Sequence, residues 1–116
     1  MLIDGWRRSV NYLAKAEKAL DYLAESESEW AQYKALLKFQ PERHKALLAR
    51  LMSESLETTE AGRKRDAEQS EAFNELLDES TEIAEQFYLL DAKRQRAEHT
   101  IEMYRSVNSA MKRGNI

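Results

Sequence analysis

An all-α protein is the fold class this sequence predicts, and three observations predict it. Charged residues make up 34 % of the 116-residue chain, which holds only three Gly and one Pro. Helix interiors exclude Gly and Pro but accept Glu, Lys, Arg, Ala and Leu. Leu76, Ile83, Leu90, Ala97, Tyr104 and Met111 recur every seventh residue as one unbroken ladder. A second ladder three positions ahead (Phe73, Ser80, Phe87, Arg94, Ile101 and Asn108) completes the spacing of a helix seam that requires a partner helix. The expected architecture is a single helical domain, residues 1–116: an elongated, coiled-coil-like antiparallel helical hairpin of two long helices with a short third helix between them. Up-down-up order, with the outer helices parallel, is the alternative the sequence leaves open.

The first helix is expected over about residues 4–39. Asp4 can cap its N-terminus, because its carboxylate can accept from free amides of the first turn. Its apolar stripe reads Trp6, Val10, Leu13, Ala16, Leu20, Leu23, Trp30 and Leu37. Glu25, Glu27 and Glu29 interrupt it, and Ser26 or Glu27 stands where an apolar residue is due, which predicts a solvated or loosened turn. Gln40-Pro41 is expected to end the helix, since the residue before proline disfavours the α region. Pro41 suits the first position of a second helix over about 41–57, which presents Leu47, Leu48, Leu51, Met52 and Leu56. Residues 57–62 read as a connection, and Thr58 or Thr59 can cap a helix resuming near Glu60 or Arg63. The third helix runs from about 60 to 113, where Gly114 is a natural stop.

Cysteine is absent, which excludes disulfides and thiolate metal sites. No apolar signal core follows Met1, and no run approaches the ~20 apolar residues of a membrane span. A cytoplasmic protein that does not engage membranes is expected. Net charge is only −3, but it is unevenly spread. Residues 66–91 carry nine acids and no base, whereas residues 92–116 carry six bases against two acids. Local charge is therefore more informative about partners than the mean.

Candidate interaction residues follow from that asymmetry. In an antiparallel hairpin Arg7, Arg8, Arg105, Lys112 and Arg113 gather at one end, a repulsive arrangement unless an anion binds there. Together with Arg94 they form the candidate nucleic-acid or anion-binding set. Trp6, Tyr12 and Tyr104 are aromatics near enough to stack on exposed bases. The acidic residues Glu75, Asp78, Glu79 and Glu82 are the candidate face for a basic protein partner. Ser80, Arg94 and Asn108 place polar groups in the seam, where they lower stability and can fix register. Arg94 either extends its head to water along its alkyl stem or faces Glu17 or Glu27.

Catalysis finds no support. A di-metal carboxylate site wants Glu-x-x-His pairs, and neither His44 nor His99 belongs to one. Both histidines are expected to be exposed. The serines have no accompanying His/Asp arrangement. The chain is read as a non-enzyme with no catalytic residue, metal, cofactor or small-molecule substrate.

Several stretches carry a resemblance. Residues 103–116, from Met103-Tyr104-Arg105-Ser106 to Lys112-Arg113-Gly114-Asn115-Ile116, are similar to the C-terminus of a family of small helical tailed-bacteriophage proteins. Tyr12-Leu13-Ala14, Tyr22-Leu23-Ala24-Glu25 and the stretch from Thr59-Glu60-Ala61-Gly62-Arg63 to Ser70-Glu71-Ala72-Phe73 resemble it too. That family has no established function and is often encoded in the early, recombination-linked region of the genome. The matching motif residues are Arg105, Ser106, Arg113, Gly114 and Asn115. Tyr104 stands where the family often has Trp, and the acidic cluster at 25–29 has no counterpart. The resemblance implies a non-enzymatic accessory to phage DNA replication or recombination, in the host cytoplasm, that binds DNA or a DNA-processing protein. The alternatives are an interaction module that inhibits a host defence or repair factor, and a purely structural coiled coil. A homodimer is a further expectation, from apolar edges such as Trp30, Phe39 and Tyr88.

Overall fold

The computed structural model describes the backbone of residues 2–114 and the side chains of residues 10–114. Three helices follow one another: α1 (Leu2–Glu54), α2 (Glu60–Gln69) and α3 (Glu71–Lys112), with no strand among the described residues. The all-α class and the pattern of two long helices with a short one between them are as the sequence predicts. The chain forms two compact units: unit 1 comprises Met1–Trp30 and Leu89–Ile116, and unit 2 comprises Ala31–Tyr88.

Within each unit α1 and α3 run antiparallel. In unit 1, Arg94 bonds Ser26 while the earlier Asp91 bonds the later Trp30. In unit 2, Ser80 bonds Gln40 while His44 stacks edge-on against the earlier Phe73. All twelve residues of the two α3 ladders are buried or half-buried. Inter-helix packing, which demands one continuous inward face, thus follows the heptad pattern as written.

The stripe on α1 needs correction. Val10, Leu13 and Leu20 are exposed, at 43 %, 40 % and 54 %. The inward face is instead Tyr12, Ala16, Ala19, Leu23, Ser26, Trp30, Tyr33, Leu37, Gln40 and His44. Ala16 and Ala19 are fully within the seam, and Ala19 joins Ala97 and Ile101 in a small core flanked by Tyr22 and Leu23. Ser26 is only 7 % exposed, so the expected solvated turn is a buried polar layer.

Two helix boundaries also differ from expectation. α1 passes through Pro41 without a break. Proline removes one intrahelical hydrogen bond and costs roughly 3 kcal/mol in a helix interior. Leu37, Gln40, His44, Leu47 and Leu48 nevertheless stay in phase on the buried side, while Pro41 itself faces solvent. Ending the helix at Gln40 would throw that stripe out of register, so packing outweighs local preference. The short helix is therefore α2, not the expected 41–57 segment, and Leu56 lies in the connection, 98 % exposed.

Thr59 caps α2 as anticipated, its Oγ1 accepting from the Gly62 amide at 3.0 Å. Gly62 is buried there because a Cβ would lie 2.9 Å from Thr59 Oγ1 and 3.1 Å from Glu57 Cβ. The expected continuous third helix is interrupted at Ser70, whose backbone is extended (φ −67°, ψ 148°). Its hydroxyl donates to Ala67 O at 2.7 Å and accepts from the Phe73 amide at 3.1 Å. One serine thus closes α2 and caps α3. Gly114, at φ 74°, ends the C-terminal helix with its amide donating to Met111 O. Asp4, expected as an N-cap, falls inside α1, and its side chain lies outside the described residues.

Candidate anion-binding groove in unit 1

Positions three and seven apart share one helix flank. On α1 that spacing joins Lys15, Lys18 and Tyr22, and on α3 it joins Lys93, Arg96 and Thr100. Antiparallel packing sets the two flanks side by side, and together with Ala19 and Ala97 they line an open groove of about 390 Å³. Four cations line it and no carboxylate does. None of the four takes part in the ion pairs Arg43–Glu79, Arg50–Glu54 or Lys64–Glu68. A second groove of about 270 Å³, lined by Tyr12, Lys15, His99, Thr100 and Met103, shares Lys15 and Thr100 with the first. Lys15 Nζ stands 5.9 Å from the centroid of the Tyr12 ring. The stripe of α1 continues as Glu25 and Glu29, which bounds the basic track at that end.

The opposite flank of unit 1 is different. There Leu20, Leu23, Glu98, Ile101, Glu102 and Arg105 line a groove of mixed charge. Arg105 therefore lies apart from the basic track, beside two carboxylates. Arg94 lies apart from it as well. It is half-buried, its Nη1 donating to Leu23 O at 2.8 Å and Ser26 Oγ at 2.6 Å, with the guanidinium 5.1 Å from the Trp30 ring centroid. Neither Glu17 nor Glu27 is its partner. Trp30, half-buried rather than an exposed edge, donates from Nε1 to Asp91 Oδ1 at 3.0 Å. Lys112 and Arg113 are exposed at the end of α3, and the side chains of Arg7 and Arg8, like that of Trp6, lie outside the described residues. Tyr104 is half-buried in the ladder.

In unit 2 the acids Glu75, Asp78, Glu79 and Glu82 are all exposed. Glu79 accepts from Arg43 Nη2 at 3.4 Å. That contact puts the α3 stripe Glu75, Glu79 and Glu82 on the same face as the α1 stripe Leu36, Phe39 and Arg43. A slot lined by Gln32, Ala35, Leu36 and Phe39 opens there, with Phe39 55 % exposed. His44, expected at the surface, is half-buried, with Nε2 2.8 Å from Ser80 Oγ. Ser80 in turn lies 2.9 Å from Gln40 Oε1 and 2.8 Å from Leu76 O. A hydroxyl has one hydrogen. With that hydrogen on Gln40 or Leu76, His44 must be the donor to Ser80.

Among the described residues no cluster of His, Cys, Asp or Glu could hold a metal ion. No helix of the described residues is long and apolar enough to cross a membrane. Lys15, Lys18, Lys93 and Arg96 escaped the sequence reading because half of them belong to each helix. Their three- and seven-residue spacings were visible, but which flank of α1 meets which flank of α3 depends on the register between helices. Comparison with protein-family models, with curated proteins and with solved structures found no match for this chain.

Proposed function

We propose that the protein is a non-enzymatic accessory that binds nucleic acid through the basic groove of unit 1, in keeping with a role beside phage DNA replication or recombination. The observation that carries this reading is four cations without ion-pair partners, converging on one groove of a chain whose net charge is −3. Bringing like charges together in an acidic protein is unfavourable unless an anion neutralises them. A nucleic-acid backbone does so, and the release of its condensed counterions supplies the driving force. The test is fluorescence anisotropy with labelled DNA, comparing the native chain with the double variant Lys93→Glu/Arg96→Glu. Both side chains are exposed, so the fold should tolerate the change. Binding that weakens at least tenfold in the variant and steeply with added salt supports the proposal; native-chain binding to neither single- nor double-stranded DNA rejects it.

A second reading is favoured by unit 2. Its apolar slot at Leu36 and Phe39, on the same face as Glu75, Glu79 and Glu82, suits an amphipathic basic helix of a partner protein. Charge reversal of Glu75 and Glu82 should abolish capture of such a partner while leaving DNA binding intact.

A further inference from the structure

We infer that the ligand of the basic groove is single-stranded rather than duplex nucleic acid, an inference that rests on the groove reading above. Two aromatic rings accompany the cations along the track, Tyr22 in the first groove and Tyr12 in the second. They stand ten residues apart on α1, about 15 Å along the helix axis. Both are half-buried and line their grooves; Tyr22 packs against the Ala19, Ala97 and Ile101 core, and Tyr12 carries the Lys15 ammonium over its ring.

The chemistry discriminates between strand states. Phosphates of either kind would satisfy Lys15, Lys18, Lys93 and Arg96. A duplex keeps its base faces stacked inside and offers an aromatic floor nothing to stack on. An unpaired strand can lay bases on Tyr22 and Tyr12 while its phosphates follow the cationic rims, the combination by which single strands are bound without sequence preference. The floor of the first groove is small and apolar at Ala19 and Ala97, and the one hydroxyl lining both grooves, Thr100, donates to Arg96 O at 3.0 Å.

The experiment is competition anisotropy on the full chain with oligothymidylate, a DNA duplex of the same length, and polyglutamate as a polyanion without bases. Oligothymidylate should bind at least tenfold tighter than either competitor, with a salt slope of about −3 for four neutralised phosphates. Tyr22→Leu, which keeps an apolar side chain against Ala19 and Ile101, should weaken that binding about tenfold, and Tyr22→Phe should leave it unchanged. The ratio of strand to duplex affinity in the native chain needs no variant, so a poorly folded Tyr22→Leu protein does not remove the test. Duplex binding equal to or tighter than strand binding overturns the inference while leaving the groove in place, provided Lys93→Glu/Arg96→Glu still abolishes binding. Equal affinity for polyglutamate overturns it in favour of an acidic protein surface. Failure of the native chain to bind either oligothymidylate or the duplex rejects the groove reading itself.

Discussion

Unit 1 and unit 2 each set a polar residue of the α3 ladder against a polar residue of α1, and they satisfy it in different ways. In unit 1 the pair is Arg94 with Ser26, and the arginine finds a backbone carbonyl and an aromatic face as well. Each acceptor it uses already has another bond or needs none: Leu23 O belongs to a helix, and Ser26 Oγ donates to Tyr22 O at 2.7 Å. In unit 2 the layer is neutral and cyclic in its dependence. Ser80 accepts from His44 and shares its one hydrogen between Gln40 Oε1 and Leu76 O, and Gln40 is only 6 % exposed. The charged layer is thus redundant and the neutral layer is not. A buried polar group left without a partner costs more than an average hydrogen bond contributes. The weaker-looking layer should therefore be the more sensitive one.

The largest effect is expected beside that neutral layer. Pro41→Ala restores an amide able to donate to Leu37 O, and should stabilise the protein by about 2 kcal/mol. Urea unfolding reads this as a raised midpoint at unchanged slope, and a midpoint that stays put or falls would mean that α1 is not helical through residue 41. Next comes Ser80→Ala, which removes the partner of the His44 Nε2–H and of Gln40 Oε1; a loss of about 1.5 kcal/mol is expected.

Ser26→Ala should cost less, about 1 kcal/mol, because Arg94 keeps Leu23 O and the Trp30 face. If Ser26→Ala proves as damaging as Ser80→Ala in parallel melts, the redundancy argued for unit 1 is wrong. Smallest is Glu79→Gln. The Arg43–Glu79 contact is long, at 3.4 Å, and its side chains are 38 % and 52 % exposed, so screening should hold the loss below about 0.5 kcal/mol. A larger loss would make that pair a structural link between α1 and α3 rather than a surface contact.

The same comparison bears on the binding surfaces. Unit 1 half-buries its one ladder cation, Arg94, and leaves Lys15, Lys18, Lys93 and Arg96 exposed. Unit 2 exposes acids along α3 and, on α1, an apolar slot whose Phe39 ring has Lys38 Nζ 5.8 Å from its centroid. Charge segregation along the sequence announced this difference in outline: nine acids without a base over residues 66–91, then six bases. It misassigned the members. Arg94 and Arg105 belong to one candidate set by charge, but Arg94 turns inward and Arg105 stands beside Glu98 and Glu102.

By itself, the sequence determined the helical class, the α3 seam, the Thr59 cap and the Gly114 stop. Each of these depends on interactions within a few residues or on a period of seven, and such information is written locally. Only the tertiary structure decided that α1 continues through Pro41, that Ser26 is buried opposite Arg94, and that two lysines of one helix meet a lysine and an arginine of the other. Those outcomes depend on the register between two helices. That register is set by the summed fit of Ala16, Ala19, Ala97 and Ile101 and of the polar layers, and no single stretch of chain encodes it.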